Sequence, residues 1–231
     1  MAYSSYGELK ADVAEAVDVI YHLAAEPGVR QSWGTRFEAY VRNNVIATEH
    51  LLGAAVRGRY PRLVYASSSS VYGNAARFPT REDVPANPVS PYGVTKLGGE
   101  LLCLAYHANF GVEAVLLRYF SVYGPRQRPD MAFSKFFNAM LSGLPLEVFG
   151  TGEQTRDFTF VTDVVAATRA AAVAPDVAGR VFNIGGGSRT PLNRVLEIVA
   201  ELTGQEPNVI RHEQPPGDVR DSAADIAAAT R

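Results

Sequence analysis

The sequence predicts an α/β protein, a doubly wound parallel sheet with helices on both faces. Three apolar strand patterns, at residues 18–25, 62–66 and 112–119, alternate with two long helical patterns, at residues 37–56 and 92–110. Strands that are apolar on both faces are typical of a parallel sheet that is covered on each side. Because parallel neighbours must be joined by crossovers, the alternating order indicates a doubly wound arrangement.

The two helical patterns are long and regular. Residues 37–56 carry apolar side chains at helical spacing, at Val41, Val45, Ile46, Leu51, Leu52 and Val56. Residues 92–110 repeat this spacing, and Gly111 is expected to end the helix, because glycine adopts the left-handed conformation that stops helices. The loop before this helix, residues 73–91, is rich in proline and asparagine.

After residue 120 the pattern is less regular. We predict helices at 131–141, 162–172 and 190–202, and extended segments at 145–152, 155–161, 181–184 and 208–212. Thr190 is the expected cap of the last helix, with Pro191 at its first position. The segment at 181–184 is expected to return to the main sheet as a further strand.

These elements predict two units. Residues 1–120, which begin with a polar and weakly patterned stretch at 1–16, are expected to hold the main sheet. Residues 121–231 are expected to form mainly a smaller lobe, with residues 162–184 returning to the main sheet.

The composition is that of an ordinary globular protein. The chain has 231 residues, of which 47% are hydrophobic and 20% charged, and its net charge is −2. The near-neutral balance gives no electrostatic reason to expect a nucleic acid or a membrane as partner. Cys103 is the one cysteine, so no disulfide can form within the chain, which fits a reducing compartment. We therefore expect a cytoplasmic protein.

One stretch of the sequence combines a hydroxyl, a phenol and an ammonium group. Four serines, Ser67 to Ser70, follow the strand at 62–66, and Tyr92 and Lys96 are four residues apart, so they share one face of a helix. We expect desolvation and the neighbouring cation to lower the pKa of Tyr92 from its ordinary value of ~10. Such a group of side chains suits the deprotonation of an alcohol.

No metal site is predicted. His50, His107 and His212 have no metal-ligand spacing with one another or with Cys103. We interpret the histidines as surface or helix residues and the cysteine as core packing.

Several short motifs together resemble the extended short-chain dehydrogenase/reductase family, especially its NAD-dependent nucleotide-sugar 4-epimerases, with a Rossmann-like sheet. Eight pieces follow the family's order along nearly the whole chain. They are HLAA (22–25), NNV (43–45), SSSSVYG (67–73), SPYGVTK (90–96), RYFSVYGPRQRPD (118–130), TRDFTFVTD (155–163), FNIGGG (182–187) and GDVRD (217–221).

The resemblance implies roles for the serine, tyrosine and lysine. Tyr92 would be the catalytic base, Lys96 would lower its pKa and bind the nicotinamide ribose, and Ser68 would hydrogen-bond the reacting sugar oxygen. Ser69 and Ser70 stay open as alternatives, because a run of four serines leaves the register undecided. The competing interpretations are a solvent-facing helix start and a serine turn that satisfies its own backbone.

The resemblance also implies NAD as cofactor, with residues 1–120 as a partial dinucleotide-binding domain that carries the serine, tyrosine and lysine, and residues 121–231 mainly as a substrate-binding lobe. Parallel sheets bind ligands at the carboxyl ends of their strands, where residues 22–25 lie. The residues expected to bind NAD are Leu23, Ala24, Ala25, Asn43, Asn44, Ser67, Tyr92, Lys96 and Tyr119. Asparagine has poor helix propensity, and a buried hydrogen-bond network is the competing interpretation of Asn43 and Asn44.

A UDP-sugar is the implied substrate. The residues expected to bind it are Ser69, Ser70, Ser121, Arg128, Val148, Phe149, Arg156 and Arg220. Arg156 and Arg220 match positions that bind the diphosphate, to which the planar fork of arginine is suited. Val148 and Phe149 match the segment that lines the uracil pocket, although ordinary strand packing explains them nearly as well.

The sugar is predicted from Arg128. The string RPDM that contains it is typical of UDP-glucuronate 4-epimerases, in which this arginine and the position of Ser121 face the C5 substituent. A guanidinium there would pair with a carboxylate, and a loop arginine in a proline-rich turn is the competing interpretation. Arg30 is a further candidate substrate contact.

The implied reaction is inversion of C4 of a UDP-sugar through a transient 4-keto intermediate. Related dehydratases and decarboxylases place an acidic residue just after the catalytic hydroxyl, where this chain has Ser69 and Ser70. UDP-glucuronate is the first expected substrate and UDP-glucose the second. The family pairs its subunits through the helices at 37–56 and 92–110, so a homodimer is expected.

The sequence departs from the family at the glycine-rich turn. The family's GxxGxxG motif is absent, and the one glycine cluster, residues 185–187, lacks that spacing. We therefore expect a chain that starts near the third strand of the family's sheet and stops before its last helices. The alternative function is that of a catalytically inactive remnant that at most binds a UDP-sugar or dimerises.

Overall fold

The main sheet has four parallel strands, as predicted. The computed structural model describes residues 17–58 and 62–230, so the polar stretch at 1–16 lies outside the described residues. The strands lie in the order β1-β2-β3-β8 and are β1 (Val19–His22), β2 (Arg62–Ser68), β3 (Ala114–Tyr119) and β8 (Arg180–Ile184). The predicted return of residues 181–184 to this sheet is confirmed, because β8 pairs in parallel with β3.

Helices cover both faces of the sheet. One core lies between the sheet and two long helices, and its largest side chains include Leu52, Leu63, Tyr65 and Leu116. The other core lies under the helix α4 (Val161–Val173), where Val115 is among the buried residues. The doubly wound arrangement is thereby confirmed.

The first long helix, α1, spans residues 37–58 but is not uniform. It consists of an α-helical turn, Phe37–Tyr40, a π-helical segment, Val41–Ile46, and an α-helix, Ala47–Gly58. The sequence predicted one regular helix over 37–56. The wider π turn carries Asn44, whose buried side chain bonds the backbone of the preceding loop instead of lying on a 3.6-residue stripe.

The second long helix, α2 (Pro91–Phe110), has the boundaries that its sequence predicts. Ser90 caps it by accepting a hydrogen bond from the Gly93 amide at 3.1 Å, and Pro91 occupies its first turn. Gly111 ends the helix with a φ of 70°, a left-handed conformation that costs glycine little.

Beyond β3 the chain forms short strands and a smaller lobe. The remaining elements are β4 (Ser121–Tyr123), α3 (Ala132–Leu141), β5 (Leu146–Phe149), β6 (Thr155–Arg156), β7 (Phe158–Phe160), β9 (Thr190–Pro191), α5 (Leu192–Thr203) and β10 (Val209–His212). The lobe packs α3 and α5 against the parallel pair of β5 and β10 around the buried Phe136, Leu146 and Leu196. None of the helices within residues 17–58 and 62–230 combines the length and the apolar character that a membrane span requires.

The predicted start of the last helix is wrong. Thr190 and Pro191 form the strand β9, which pairs with β6, and α5 begins at Leu192 without a side-chain cap. Its first amides instead donate to distant carbonyls, Leu192 to Gln154 at 3.1 Å and Asn193 to Gly152 at 2.9 Å. Those partners satisfy the helix start through tertiary structure, which a local motif does not reveal.

The strands β1 and β2 end at residues other than those that the sequence predicts. β1 stops at His22, so residues 23–25 continue as loop at the carboxyl edge of the sheet. β2 instead extends two residues into the serine run, because Ser67 and Ser68 stay paired with β3. The first two serines are therefore sheet residues and the next two belong to a 3₁₀ turn, Ser69–Val71.

Two neighbouring glycines of α2 provide a test of this packing. A Cβ at Gly99 would overlap the Tyr65 hydroxyl, whereas at Gly98 the nearest contact is Val45 at 3.5 Å. Gly99→Ala is expected to lower the free energy of unfolding by roughly 1–3 kcal/mol through overpacking. Gly98→Ala is the matched control and is expected to raise it by up to about 1 kcal/mol, since alanine favours helix. Urea denaturation measures both changes, and equal stability of the two variants would contradict this packing.

Candidate active site

The site forms where the serine run of β2 meets the first turns of α2. The cap at Ser90 fixes the start of α2, which places Tyr92 beside the end of β2. The side chain of Ser68 is close enough to Tyr92 to lower the pKa of the phenol by hydrogen bonding, and its hydroxyl accepts the amide of Ser70 at 3.1 Å. Of the four serines, Ser68 is the one whose side chain affects the pKa of Tyr92.

The electrostatics of Tyr92 differ from the sequence prediction. Burial raises the pKa of Tyr92 above its ordinary value, while the Ser68 hydrogen bond and the charge of Arg128 lower it without reversing the shift. The expectation that desolvation and Lys96 would lower the pKa of Tyr92 is therefore wrong in direction. Desolvation disfavours the charged phenolate, so it acts in the opposite direction.

Lys96 points into the protein beneath Tyr92. Its Nζ donates to the carbonyl of Ala66 at 2.8 Å and lies 5.2 Å from the centroid of the Tyr65 ring. Burial lowers the pKa of Lys96 to about 8, against the opposing effects of Cys103 and Glu100. Lys96 therefore remains mostly charged at neutral pH, but it loses its proton at a lower pH than an ordinary lysine.

A buried histidine lies close to the same lysine. His22, the last residue of β1, bonds Thr48 through Nε2 at 2.8 Å. Burial, and then the charge of Lys96, lower the pKa of His22 to about 4. The imidazole is thus neutral at physiological pH and serves as a polar part of the core below the site.

The sequence did not indicate Tyr40 as a site residue. Its fully buried ring meets the Tyr92 ring edge-on, with 6.2 Å between centroids. Its hydroxyl donates to the carbonyls of Pro27 and Gly28, both at 2.8 Å. Tyr40 therefore links the loop after β1 to the phenol. An aromatic residue in a helical apolar pattern indicates only core packing, so no sequence signal distinguished it.

The residues predicted to bind NAD lie at the carboxyl edge of the sheet, with different degrees of access. Leu23 and Ala24 are exposed, and Leu23 is 60% exposed despite its apolar side chain. Asn43 is half-buried. Asn44 is buried and bonds the backbone of Glu26 and the hydroxyl of Thr95, so its contacts are those of the competing interpretation, a buried network.

Two further residues of that group have side chains engaged elsewhere. Ser67 is buried and donates to the carboxylate of Glu100. The hydroxyl of Tyr119 is bonded to Thr168 of α4 at 2.7 Å. Because both hydroxyls are already bonded, a cofactor would contact Ser67 through its backbone and Tyr119 through its backbone or the edge of its ring.

The predicted sugar-binding residues border the same edge. Ser69 and Ser70 are half-buried in the 3₁₀ turn, and Ser121 is half-buried at the start of β4. Arg128 lies on the exposed loop that follows, where its guanidinium grips Asp130 with contacts of 3.0 and 2.8 Å. The arginine is therefore already in the bidentate geometry that a carboxylate requires.

The predicted nucleotide-binding residues cluster near the smaller lobe. Arg156 donates to the backbone carbonyls of Thr155, Val219 and Arg220, and the side chain of Arg220 is exposed. Val148 is 1% exposed and belongs to the lobe's core, as ordinary strand packing would have it.

Phe149 lies on the surface between two side chains. The guanidinium of Arg30 lies 4.1 Å from its ring centroid, and His212 stacks at 5.1 Å. Arg30 also pairs with Asp218 at 2.8 Å. Arg30, a candidate substrate contact from the sequence, thus connects the loop after β1 to the lobe.

The structure describes no metal centre in this region. Within residues 17–58 and 62–230, no group of three or more His, Cys, Asp or Glu side chains is arranged to hold a metal ion.

Comparison with known proteins identifies the family. The family described as "NAD dependent epimerase/dehydratase family" matches residues 5–185 of the chain. This chain belongs to that family. The predicted resemblance, the Rossmann-like fold, NAD as the cofactor of the family and an enzyme of the epimerase class are thereby confirmed.

Individual relatives agree with this assignment. The chain is 43% identical over 224 residues to an uncharacterized UDP-glucose epimerase, YtcB, of Bacillus subtilis (strain 168), and the match covers 96% of this chain and 71% of that protein. It is 42% identical to UDP-glucuronic acid 4-epimerase from Bacillus cereus, solved with UDP-glucuronic acid and NAD, with a TM-score of 0.92 and coverage of 98% and 71%.

A third relative is MoeE5, whose structure contains UDP-glucuronic acid and NAD. It is 45% identical, with a TM-score of 0.92, and the match covers 99% of this chain and 77% of MoeE5. The chain thus spans 71% to 77% of the length of these relatives.

The Ser68 hydrogen bond generates a prediction about pH. Because this bond lowers the pKa of Tyr92, Ser68→Ala is expected to raise that pKa further. Turnover of the UDP-sugar that the resemblance implies would then reach its plateau at a higher pH, with kcat lowered by about 10²-fold. The measurement is the pH profile of kcat. Ser69→Ala tests the alternative serine in the following turn. An unchanged pH profile in Ser68→Ala, or a shift in Ser69→Ala alone, would contradict the assignment.

Proposed function

We propose that this chain carries out NAD-dependent inversion of C4 of a UDP-sugar, with UDP-glucuronate as the preferred substrate. The observation that carries the proposal is the meeting of Ser68 and Tyr92 at the carboxyl edge of a doubly wound sheet, in a member of the epimerase/dehydratase family. The solved relatives with UDP-glucuronic acid and NAD support the choice of ligands.

The residues of the site can move one proton at C4. In its phenolate form, which the raised pKa makes the minor form at neutral pH, Tyr92 accepts the proton of the C4 hydroxyl. Ser68, next to Tyr92, holds the sugar oxygen in line. Bound NAD supplies the acceptor for the C4 hydride and the donor that returns it. When the 4-keto sugar has turned in the site, the proton passes from Tyr92 back to the oxygen. No net oxidation results.

The carboxyl edge of the sheet leaves apolar side chains uncovered. Leu23 and Ala24 expose apolar surface and backbone just beyond β1, where a bound molecule would cover them. Lys96 lies behind Tyr92, and the resemblance to the family implies that it binds the nicotinamide ribose. We propose that these residues, with Ala25 and Asn43, hold NAD.

One feature favours a hexuronate over a hexose. The guanidinium of Arg128 already binds a carboxylate, that of Asp130, in bidentate geometry, and a sugar carboxylate can take the place of Asp130. Ser69 and Ser70, at the positions where the resemblance implies an acidic group in dehydratases and decarboxylases, favour an epimerase over those two classes. UDP-glucose is the second candidate, and MoeE5 has also been solved with UDP-glucose and NAD.

We further propose that the protein is a cytoplasmic homodimer. The outer faces of α1 and α2 expose apolar side chains, among them Ile46, Val94 and Leu101, of which Leu101 is 58% exposed. A second copy of the chain would cover them, and sedimentation velocity distinguishes that dimer from a monomer.

Calorimetric titration tests the proposed function. The chain is expected to bind NAD and then UDP-glucuronate. Arg128→Met is expected to weaken UDP-glucuronate binding at least about tenfold, since a hydrogen bond to a charged group contributes roughly 1.5–3 kcal/mol, while UDP-glucose binding stays within about threefold of its wild-type value. Arg126→Met, which removes a charge from the same loop, is the matched control.

Three outcomes would contradict parts of the proposal. If Arg128→Met weakens the binding of UDP-glucuronate and of UDP-glucose equally, the proposal that Arg128 binds the sugar carboxylate is contradicted. Binding of a UDP-sugar without NAD would support the alternative function, a non-catalytic remnant. Binding of neither ligand would contradict the function as a whole.

A further inference from the structure

Glu100 is a buried acidic residue that the proposed chemistry does not use. It lies on α2 one turn beyond Lys96 and is 1% exposed. One carboxylate oxygen accepts the Ser67 hydroxyl and the Nε of Arg118 at 2.9 Å, and the other accepts Nη2 of Arg118 at 2.8 Å. Each oxygen of the carboxylate therefore has a strong donor.

Arg118 is held from other sides as well. It lies on β3 and is 6% exposed, and its remaining nitrogen donates to the carbonyl of Glu82 at 3.3 Å. Its guanidinium also stacks over the Tyr72 ring at 4.6 Å. Burial lowers the pKa of Arg118, but the bonds and charge of Glu100 outweigh this effect and raise it overall, so the guanidinium stays charged.

Stability alone is a weak explanation of such a pair. Withdrawing two charges from water costs about as much as their attraction returns, and apolar residues of similar size often serve equally well. A buried pair fixes geometry, however, because a bidentate contact tolerates little displacement. The Glu100–Arg118 pair is therefore better explained by the geometry that it fixes than by the stability that it adds.

The pair joins three elements next to the catalytic residues. Ser67 is on β2 immediately before Ser68, Glu100 is on the helix that carries Tyr92, and Arg118 is the residue of β3 paired with Ser67. A shift of α2 along β2 would have to break the contact of Glu100 with Ser67. The same shift would change the distance between Ser68 and Tyr92.

We propose that Glu100 is a positioning residue that, through Ser67 and Arg118, holds Ser68 within hydrogen-bond reach of Tyr92. Glu100 itself touches neither substrate nor cofactor in this role. The inference deepens the proposed function, on which its kinetic consequences rest.

The test removes the link to β2 and leaves the buried charges paired. Ser67→Ala deletes the hydroxyl that Glu100 accepts, while the Glu100–Arg118 pair is kept, so folding is preserved. We expect kcat for UDP-glucuronate to fall roughly 10- to 100-fold, as for a small misplacement of reacting groups, with KM within about threefold of the wild-type value. Ser67→Thr keeps a hydroxyl and is expected to restore kcat to within about threefold.

A matched control separates positioning from general stability. Glu113→Gln breaks an ion pair with Arg62 at the opposite end of β3, where Glu113 is 49% exposed. It is expected to leave kcat and its pH profile unchanged. Loss of kcat in this control equal to that in Ser67→Ala, or a wild-type kcat in Ser67→Ala, would overturn the proposal.

A readout independent of turnover distinguishes this inference from the proposed function. Titration of Tyr92, followed by ¹³C NMR of tyrosine-labelled protein and assigned with Tyr92→Phe, reports the Ser68 bond directly. We expect Tyr92 in Ser67→Ala to titrate at a higher pH than in the wild-type chain. Unchanged titration would overturn the inference even if the chain is an epimerase, whereas shifted titration in a chain without turnover would count against the proposed function alone.

Discussion

Parallel pairing of the four main strands brings all their carboxyl ends to one edge, and this constraint decides where chemistry can take place. The faces of the sheet are covered by α1 and α2 on one side and α4 on the other, so the edge is where polar groups can meet a ligand. Ser68 is the last residue of β2, and the capped start of α2 places Tyr92 beside it. The loop after β1 completes the edge, with Tyr40 between that loop and the phenol.

Burial, more than pairing, sets the charge states around this edge. Lys96 has a carbonyl as its hydrogen-bond acceptor, and burial lowers its pKa to about 8. His22 is neutral below the site because its pKa falls to about 4. Glu100, four residues after Lys96, and Arg118 on β3 are also buried, and their charges are compensated by their ion pair. For Tyr92, burial raises the pKa of the phenol, and the charge of Arg128 opposes that shift.

The sequence predicted the elements that have strong local signals and missed features that depend on distant contacts. The boundaries of α2 follow from a serine cap, a proline and a terminal glycine, all local. The predicted start of α5 was wrong because its first amides donate to the carbonyls of Gly152 and Gln154, about forty residues earlier in the chain. The π segment around Asn44 escapes any 3.6-residue pattern. The sign of the Tyr92 shift depends on how deeply the site is enclosed, which spacing alone does not reveal.

The fate of the C4 hydrogen tests the central claim most directly. UDP-glucuronate carrying deuterium at C4 would be incubated in ordinary water with the chain and NAD, and the product examined by NMR. Proton transfer at Tyr92 with return of the same hydride predicts UDP-galacturonate that retains its deuterium at C4, with no exchange at C5. Loss of the deuterium to solvent, exchange at C5 or release of carbon dioxide would contradict it.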